Sequence, residues 1–180
     1  NFSPARGDNQ ALAELGFVVV EIDGMGTPWR SKSFHDAYFA RMGDNTLPDQ
    51  VAGMKELASR YRFIDLDKAG VWGHSGGGFA AADAMFRYPD FFKVGIAESG
   101  NHDNRVYEDA WGERYQGLLV LQGTTDHYSA AANQALAKTL KRTLLLDHAT
   151  LDAHSPPHTP PPAPPPPRPS TTAAPPTSLP

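Results

Sequence analysis

Residues 70–79 read Gly70-Val71-Trp72-Gly73-His74-Ser75-Gly76-Gly77-Gly78-Phe79. The first five suit a short strand. Gly76 to Tyr88 suits a helix of small and apolar residues, closed by Pro89. Between them Gly73-His74-Ser75-Gly76-Gly77 fits the pattern G-x-S-x-G, and a serine placed between strand and helix occupies a nucleophile elbow. The turn holds its backbone in a strained conformation. Gly73 and Gly77 are expected there because a Cβ at either position would collide. The Ser75 hydroxyl then stands above the end of the sheet as a nucleophile. The Gly76 N–H, at the start of the helix, faces the carbonyl oxygen under attack, a contact typically worth about 2.7–4 kcal/mol to the transition state. His74 is not the base, because adjacent side chains diverge; it is expected to pack beneath the elbow.

Outward from the elbow, strands and helices alternate. Residues 8–15 read as a helix capped by Asp8 or Asn9 and stopped at Gly16. Residues 17–23, FVVVEID, are apolar on both faces at their start, as in a strand buried on both sides of a parallel sheet. Residues 24–47 form a long Gly-rich polar loop of the kind that often carries function. A helix follows from Pro48 to Tyr61, with Val51, Met54, Leu57, Ala58 and Tyr61 on one stripe. Residues 93–97 and 143–146 make further short strands. This order predicts an α/β fold with a mainly parallel sheet.

Composition narrows the classes. The chain has 180 residues, a net charge of −4 and no cysteine. Disulfides and cysteine-held metals are therefore excluded, and no basic stripe suggests nucleic acid. No apolar run reaches the roughly 18 residues of a membrane helix. Nothing in the sequence calls for a cofactor or metal. Thirteen of the 17 prolines fall in residues 151–180, which divides the chain into a folded part, 1–154, and a Pro-rich tail, 155–180, expected to be extended or disordered. The first residue is Asn1, and the chain reads as cut at its start.

Several segments together resemble the prolyl oligopeptidase family of serine peptidases, in its dipeptidyl peptidase IV-like branch. They are Asp23-Gly24-Met25-Gly26-Thr27, Phe34-His35-Asp36, Asp49-Gln50, residues 73–100 and residues 107–117 (YEDAWGERYQG). The likeness covers nearly all of residues 1–157. It implies the α/β-hydrolase fold, with an incomplete sheet here, and hydrolysis of peptide substrates after proline or alanine. It implies that Tyr107 and Trp111 line an aromatic slot for a proline-sized side chain. It also implies that the family's second oxyanion donor, a tyrosine, and its β-propeller lie outside this sequence.

The fold requires the order Ser, acid, His. Residues 144–152 resemble the family's acid strand and loop, which places the acid at Asp152; Ala149, Ala153, His154 and Ser155 depart from the pattern. The rival is Asp126, after the apolar run 118–121. A helix over 129–141 and a strand over 143–148 would follow it, with His148, His154 or His158 as base. The interval from Ser75 to Asp126 is short for the family, and Asp152 is preferred. On that register Pro-rich sequence replaces the last strand, helix and catalytic histidine, so the chain is expected to be weakly active or inactive. The tail reads as either a frameshift or a genuine linker. Two other functions remain open: a carboxylesterase or related acyl hydrolase, and a non-catalytic interaction module docking through its tail.

Overall fold

The computed structural model describes residues 7–42, 44, 46–122 and 125–149. The elements that build the centre are strand β1 (Gly70–His74), helix α4 (Gly76–Arg87), strand β2 (Val94–Glu98) and strand β5 (Thr143–Asp147). Before them come helices α1 (Gly7–Glu14), α2 (Lys32–Asp36) and α3 (Leu47–Arg60). Between β2 and β5 lie α5 (Asp109–Gln116), the short strands β3 (Leu121–Gln122) and β4 (Thr125–Asp126), α6 (His127–Ala131) and α7 (Asn133–Leu136).

The three longer strands form a parallel sheet in the order β1-β2-β5, with Trp72 opposite Ile96 and Ile96 opposite Leu145. Helix α4 crosses one face. Its Phe79, Ala81, Ala82, Ala84, Met85 and Phe86 are buried, as is Ala97 of the sheet. Each large apolar side chain removed from water there contributes about 1.5–3 kcal/mol. The approach is close because small residues meet it: a Cβ on Gly95 would stand 2.5 Å from Met85 Cγ. On the opposite face Trp72 and Leu145 remain 40% and 56% exposed. Val71 and Leu144 point instead toward α4 and the buried cluster of Leu47, Val51, Ala69 and Phe92.

Helix α3 begins as its sequence dictates, with proline in the first turn and Asp49 near the positive end. Its stripe turns Leu47 and Val51 into the core. The strands expected at 93–97 and 143–146 appear within one residue of those bounds.

Residues 17–23 do not form the expected strand. Phe17 and Val18 stay 61% and 52% exposed. The segment is held by side chains instead of a ladder. Ile22 packs so tightly on α3 that a Cβ on Gly53 would lie 2.7 Å from it, and Asn9 of α1 donates to Glu21 (2.9 Å). Asn9 is thus a buried tie to this segment and not the cap of α1, which already begins at Gly7. The loop expected over 24–47 contains α2, whose first turn is capped by the Ser31 hydroxyl accepting from Phe34 N–H.

Candidate active site

Ser75 lies between β1 and α4 with φ 57° and ψ −121°. A non-glycine residue in this region is strained, and such strain persists only where neighbours enforce it. Two backbone bonds do so: Ser75 N–H donates to Glu98 O (2.9 Å), and Phe79 N–H donates to Ser75 O (3.0 Å). The side chain is exposed. Gly76 opens α4, so its N–H has no carbonyl one turn back and is free to meet an oxyanion.

The glycines divide the work differently from the sequence expectation. A Cβ on Gly73 would stand 2.2 Å from Gly77 O, so glycine is obligatory at 73. A Cβ on Gly77 would meet open space. The second crowded position is Gly78, whose Cβ would fall 2.4 Å from Glu98 O. Sequence pattern alone missed it; the run of three glycines was the only visible signal. His74 does not pack beneath the turn. Side chains alternate across a strand, so it points to the face away from α4. There it is 65% exposed, with Nδ1 3.8 Å from Glu98 Oε2.

Trp111, on α5, reaches the elbow. Its ring would lie 3.4 Å from a Cβ on Gly76. Tyr107 meets Trp111 at right angles at 5.3 Å between centroids, and Tyr115 packs on Trp111 at 4.7 Å. Both residues expected to form an aromatic slot therefore stand together, with Trp111 beside the first residue of α4. Tyr115 follows Trp111 one helical turn later, at the i+4 spacing that the sequence shows.

The early motif residues also converge. Met25 N–H donates to Asp49 Oδ2 (2.7 Å) and Gly26 N–H donates to Phe34 O (2.8 Å). Behind the elbow His102 is buried. Its Nδ1 accepts from Asn133 Nδ2 (2.9 Å), which also donates to Phe79 O (3.1 Å), so the imidazole proton sits on Nε2. Burial, with a smaller contribution from His148, pushes the His102 pKa down to about 4. No sequence signal marked this pair.

Asp126 is the N-cap of α6: its carboxylate accepts from Ser129 N–H (2.7 Å) and Ser129 Oγ (2.6 Å), which hold its pKa below the usual value. The run before it does not enter the parallel sheet; β3 pairs antiparallel with β4. The helix expected over 129–141 breaks at Ala132, between α6 and α7. Asp152, His154 and His158 lie outside the described residues. Among the described residues, no side chain is hydrogen-bonded to Ser75 Oγ. A cavity of about 560 Å³, bordered by Met25, Arg41, Asp49, Arg87 and His127, opens elsewhere and does not include Ser75.

Comparison with known proteins agrees with this geometry. The model of the prolyl oligopeptidase family matches residues 5–161. Human dipeptidyl peptidase 8 is 42% identical over 106 residues, which are 59% of this chain and 12% of that protein. Dipeptidyl peptidase 4 of Trichophyton equinum is 34% identical over 141 residues, 77% of this chain and 18% of that protein. A crystal structure from Bacteroides ovatus, assigned as a dipeptidyl aminopeptidase IV, superposes with a TM-score of 0.68 at 34% identity, over 76% of this chain and 19% of that one. The chain thus spans less than a fifth of the length of these relatives. The fold is that of the α/β hydrolases.

Proposed function

The chain belongs to the prolyl oligopeptidase family, and from that premise we propose that it carries the nucleophile of a serine peptidase that cleaves peptides after proline or alanine. The observation that supports this most strongly is Ser75 itself, exposed at φ 57° beside the first amide of α4. In the reaction Ser75 Oγ bonds to the scissile carbonyl carbon. The carbonyl oxygen takes up the electron pair and accepts from Gly76 N–H. A base must remove the hydroxyl proton and pass it to the amine nitrogen, as the oxyanion's electron pair re-forms the carbonyl and the C–N bond breaks. Water then adds to the acyl carbon, its proton passes by way of the base to Ser75 Oγ, and the C–Oγ bond breaks to release the carboxylic acid. The Tyr107–Trp111 pair supports a peptide substrate with a flat, apolar side chain before the scissile bond.

We assign the acid to Asp152. Asp126 serves as a helix cap in a hairpin outside the parallel sheet, which speaks against it. Turnover by this chain is expected to be low. None of its described histidines is hydrogen-bonded to Ser75 Oγ; His74 points to the face away from α4, and His102 is buried with Nδ1 engaged.

A fluorophosphonate probe and an Ala-Pro chromogenic amide test the reading together. Slow labelling of one serine, abolished by Ser75→Ala, is expected, with little amide turnover. Folded protein that fails to label, or labels equally after Ser75→Ala, overturns the assignment. Amide turnover that disappears in Ser75→Ala overturns the expectation of low activity and leaves the nucleophile in place. Parallel rates on the matching ester separate a peptidase from an esterase.

A further inference from the structure

We propose that Tyr115 is a positioning residue: held by Tyr38 and Ala40, its ring fixes Trp111 against the Gly76 amide and so sets the shape of the substrate wall. The inference deepens the reading of Ser75 and Gly76 proposed above and rests on it.

Four contacts form one chain across the surface. Trp111 stands 3.4 Å from where a Gly76 Cβ would be. Tyr115 packs on Trp111 at 4.7 Å with a 58° tilt. Tyr38 packs on Tyr115 at 5.6 Å and 45°. Ala40 N–H donates to Tyr115 O (2.9 Å), with Ala40 at φ 60°. The left-handed backbone at Ala40 is disfavoured for a residue with a Cβ, and it aims the amide at the end of α5.

The adjacent face of α5 is anchored independently. A Cβ on Gly112 would meet the Tyr128 ring at 3.3 Å. Gln116 accepts from the buried Asn104 (2.6 Å), which in turn accepts from Asn101 (2.6 Å). The helix axis is therefore fixed, and the rotamer of the half-buried Trp111 is set by its aromatic neighbours. Tyr107 meets the indole at right angles, with centroids 5.3 Å apart, whereas Tyr115 lies closer, at 4.7 Å and a 58° tilt. Removing the Tyr115 ring takes away the closer of the two aromatic contacts and frees Trp111 to leave its place beside Gly76. The segment bearing Tyr38 and Ala40 thereby acts on the oxyanion side of the site without touching Ser75.

The test uses the full chain with Trp29→Phe and Trp72→Phe, which leaves Trp111 as the sole tryptophan. One readout is the near-ultraviolet circular dichroism band of Trp111. The other is the ratio of Ser75 labelling rates for a prolyl diphenyl phosphonate and a small ethyl fluorophosphonate. Tyr115→Ala should remove at least about half of the band and lower the ratio by about tenfold, the scale of one lost aromatic contact. Tyr115→Phe should restore both to within about twofold, and Tyr38→Ala should move both in the same direction by less. An unchanged band or an unchanged ratio in Tyr115→Ala overturns the proposal. If that variant does not fold, the same results in Tyr38→Ala overturn it. If the parent chain is labelled by neither phosphonate, the nucleophile assignment fails, and the Trp111 band alone still decides whether Tyr115 positions the indole.

Discussion

Replacing Asp83 with asparagine should turn a stability profile that is nearly flat between pH 4 and 6.5 into one that climbs with pH. Asp83 is fully buried in α4, with Oδ2 2.6 Å from Arg87 Nε and Oδ1 buried without a partner. Burial outweighs the attraction of Arg87 and pushes its pKa from 3.8 up to about 6. A raised folded pKa favours the protonated form, so this group's contribution is fully present below pH 3.8 and is lost as pH rises through about 6. The shift corresponds to about 3 kcal/mol. His102 has the opposite sign. Its folded pKa, about 4 against 6.5, favours the neutral form, so its contribution is present above pH 6.5 and is lost as pH falls through about 4. That is also about 3 kcal/mol. Between those limits the two slopes cancel to within about 1 kcal/mol.

Urea melts from pH 4 to 6.5 on the parent, Asp83→Asn and His102→Gln separate the two contributions. The stability of Asp83→Asn relative to the parent should grow by about 2 kcal/mol from pH 4 to 6, since asparagine keeps an acceptor for Arg87 without the charge. The stability of His102→Gln relative to the parent should fall by about 3 kcal/mol from pH 4 to 6.5. Subtracting the parent removes every other titrating group. Differences that stay constant with pH would refute the reasoning for both residues. One constant difference would refute it for that residue alone.

The elbow glycines give sharper predictions. Gly73→Ala drives a Cβ into the Gly77 carbonyl at 2.2 Å, a backbone atom that cannot step aside, and should cost more than about 3 kcal/mol by chemical denaturation or prevent folding. Gly78→Ala meets Glu98 O at 2.4 Å and should be similarly severe. Gly77→Ala meets nothing and gains helix propensity, so its urea midpoint should rise by the equivalent of about 0.5–1 kcal/mol. The exposed Lys141–Asp90 pair should contribute under about 0.5 kcal/mol, read from the urea midpoint of Lys141→Ala.

What the sequence makes legible follows from the range of the interactions concerned. The elbow depends on five adjacent residues, so strand, turn and helix could be read together, and Gly73 with them. Gly78 depends on a carbonyl 20 positions away on β2, and no local pattern reports that distance. Residues 17–23 show the same limit from the other side. Their apolar run records a demand for burial, which Ile22 meets against α3, but a parallel strand also needs a neighbour's free edge, and composition carries no trace of that. The break at Ala132 is a third case. The small residues of 129–141 suit a helix by propensity, yet Asn133 turns its amide to the Phe79 carbonyl and to His102, and these buried bonds outrank a continuous helical ladder.

The contact of Trp111 with Gly76 carries this argument to the site. Tyr107 and Trp111 can be matched to a family pattern as pocket residues, but a pattern gives identity without distance. Only the folded chain brings α5 across to the first turn of α4, within 3.4 Å of a Gly76 Cβ position. That closeness joins the two proposed roles, oxyanion binding at Gly76 and side-chain selection at Trp111. A substrate whose flat ring rests on Trp111 has its carbonyl confined near the Gly76 amide, so selectivity and attack geometry should change together. A larger Trp111 displacement should therefore lower labelling by bulky and small phosphonates unequally, with the prolyl reagent losing more, and Trp111→Ala should exceed Tyr115→Ala in that loss. Equal losses for both reagents in Trp111→Ala would mean that the indole supports only the elbow and selects nothing.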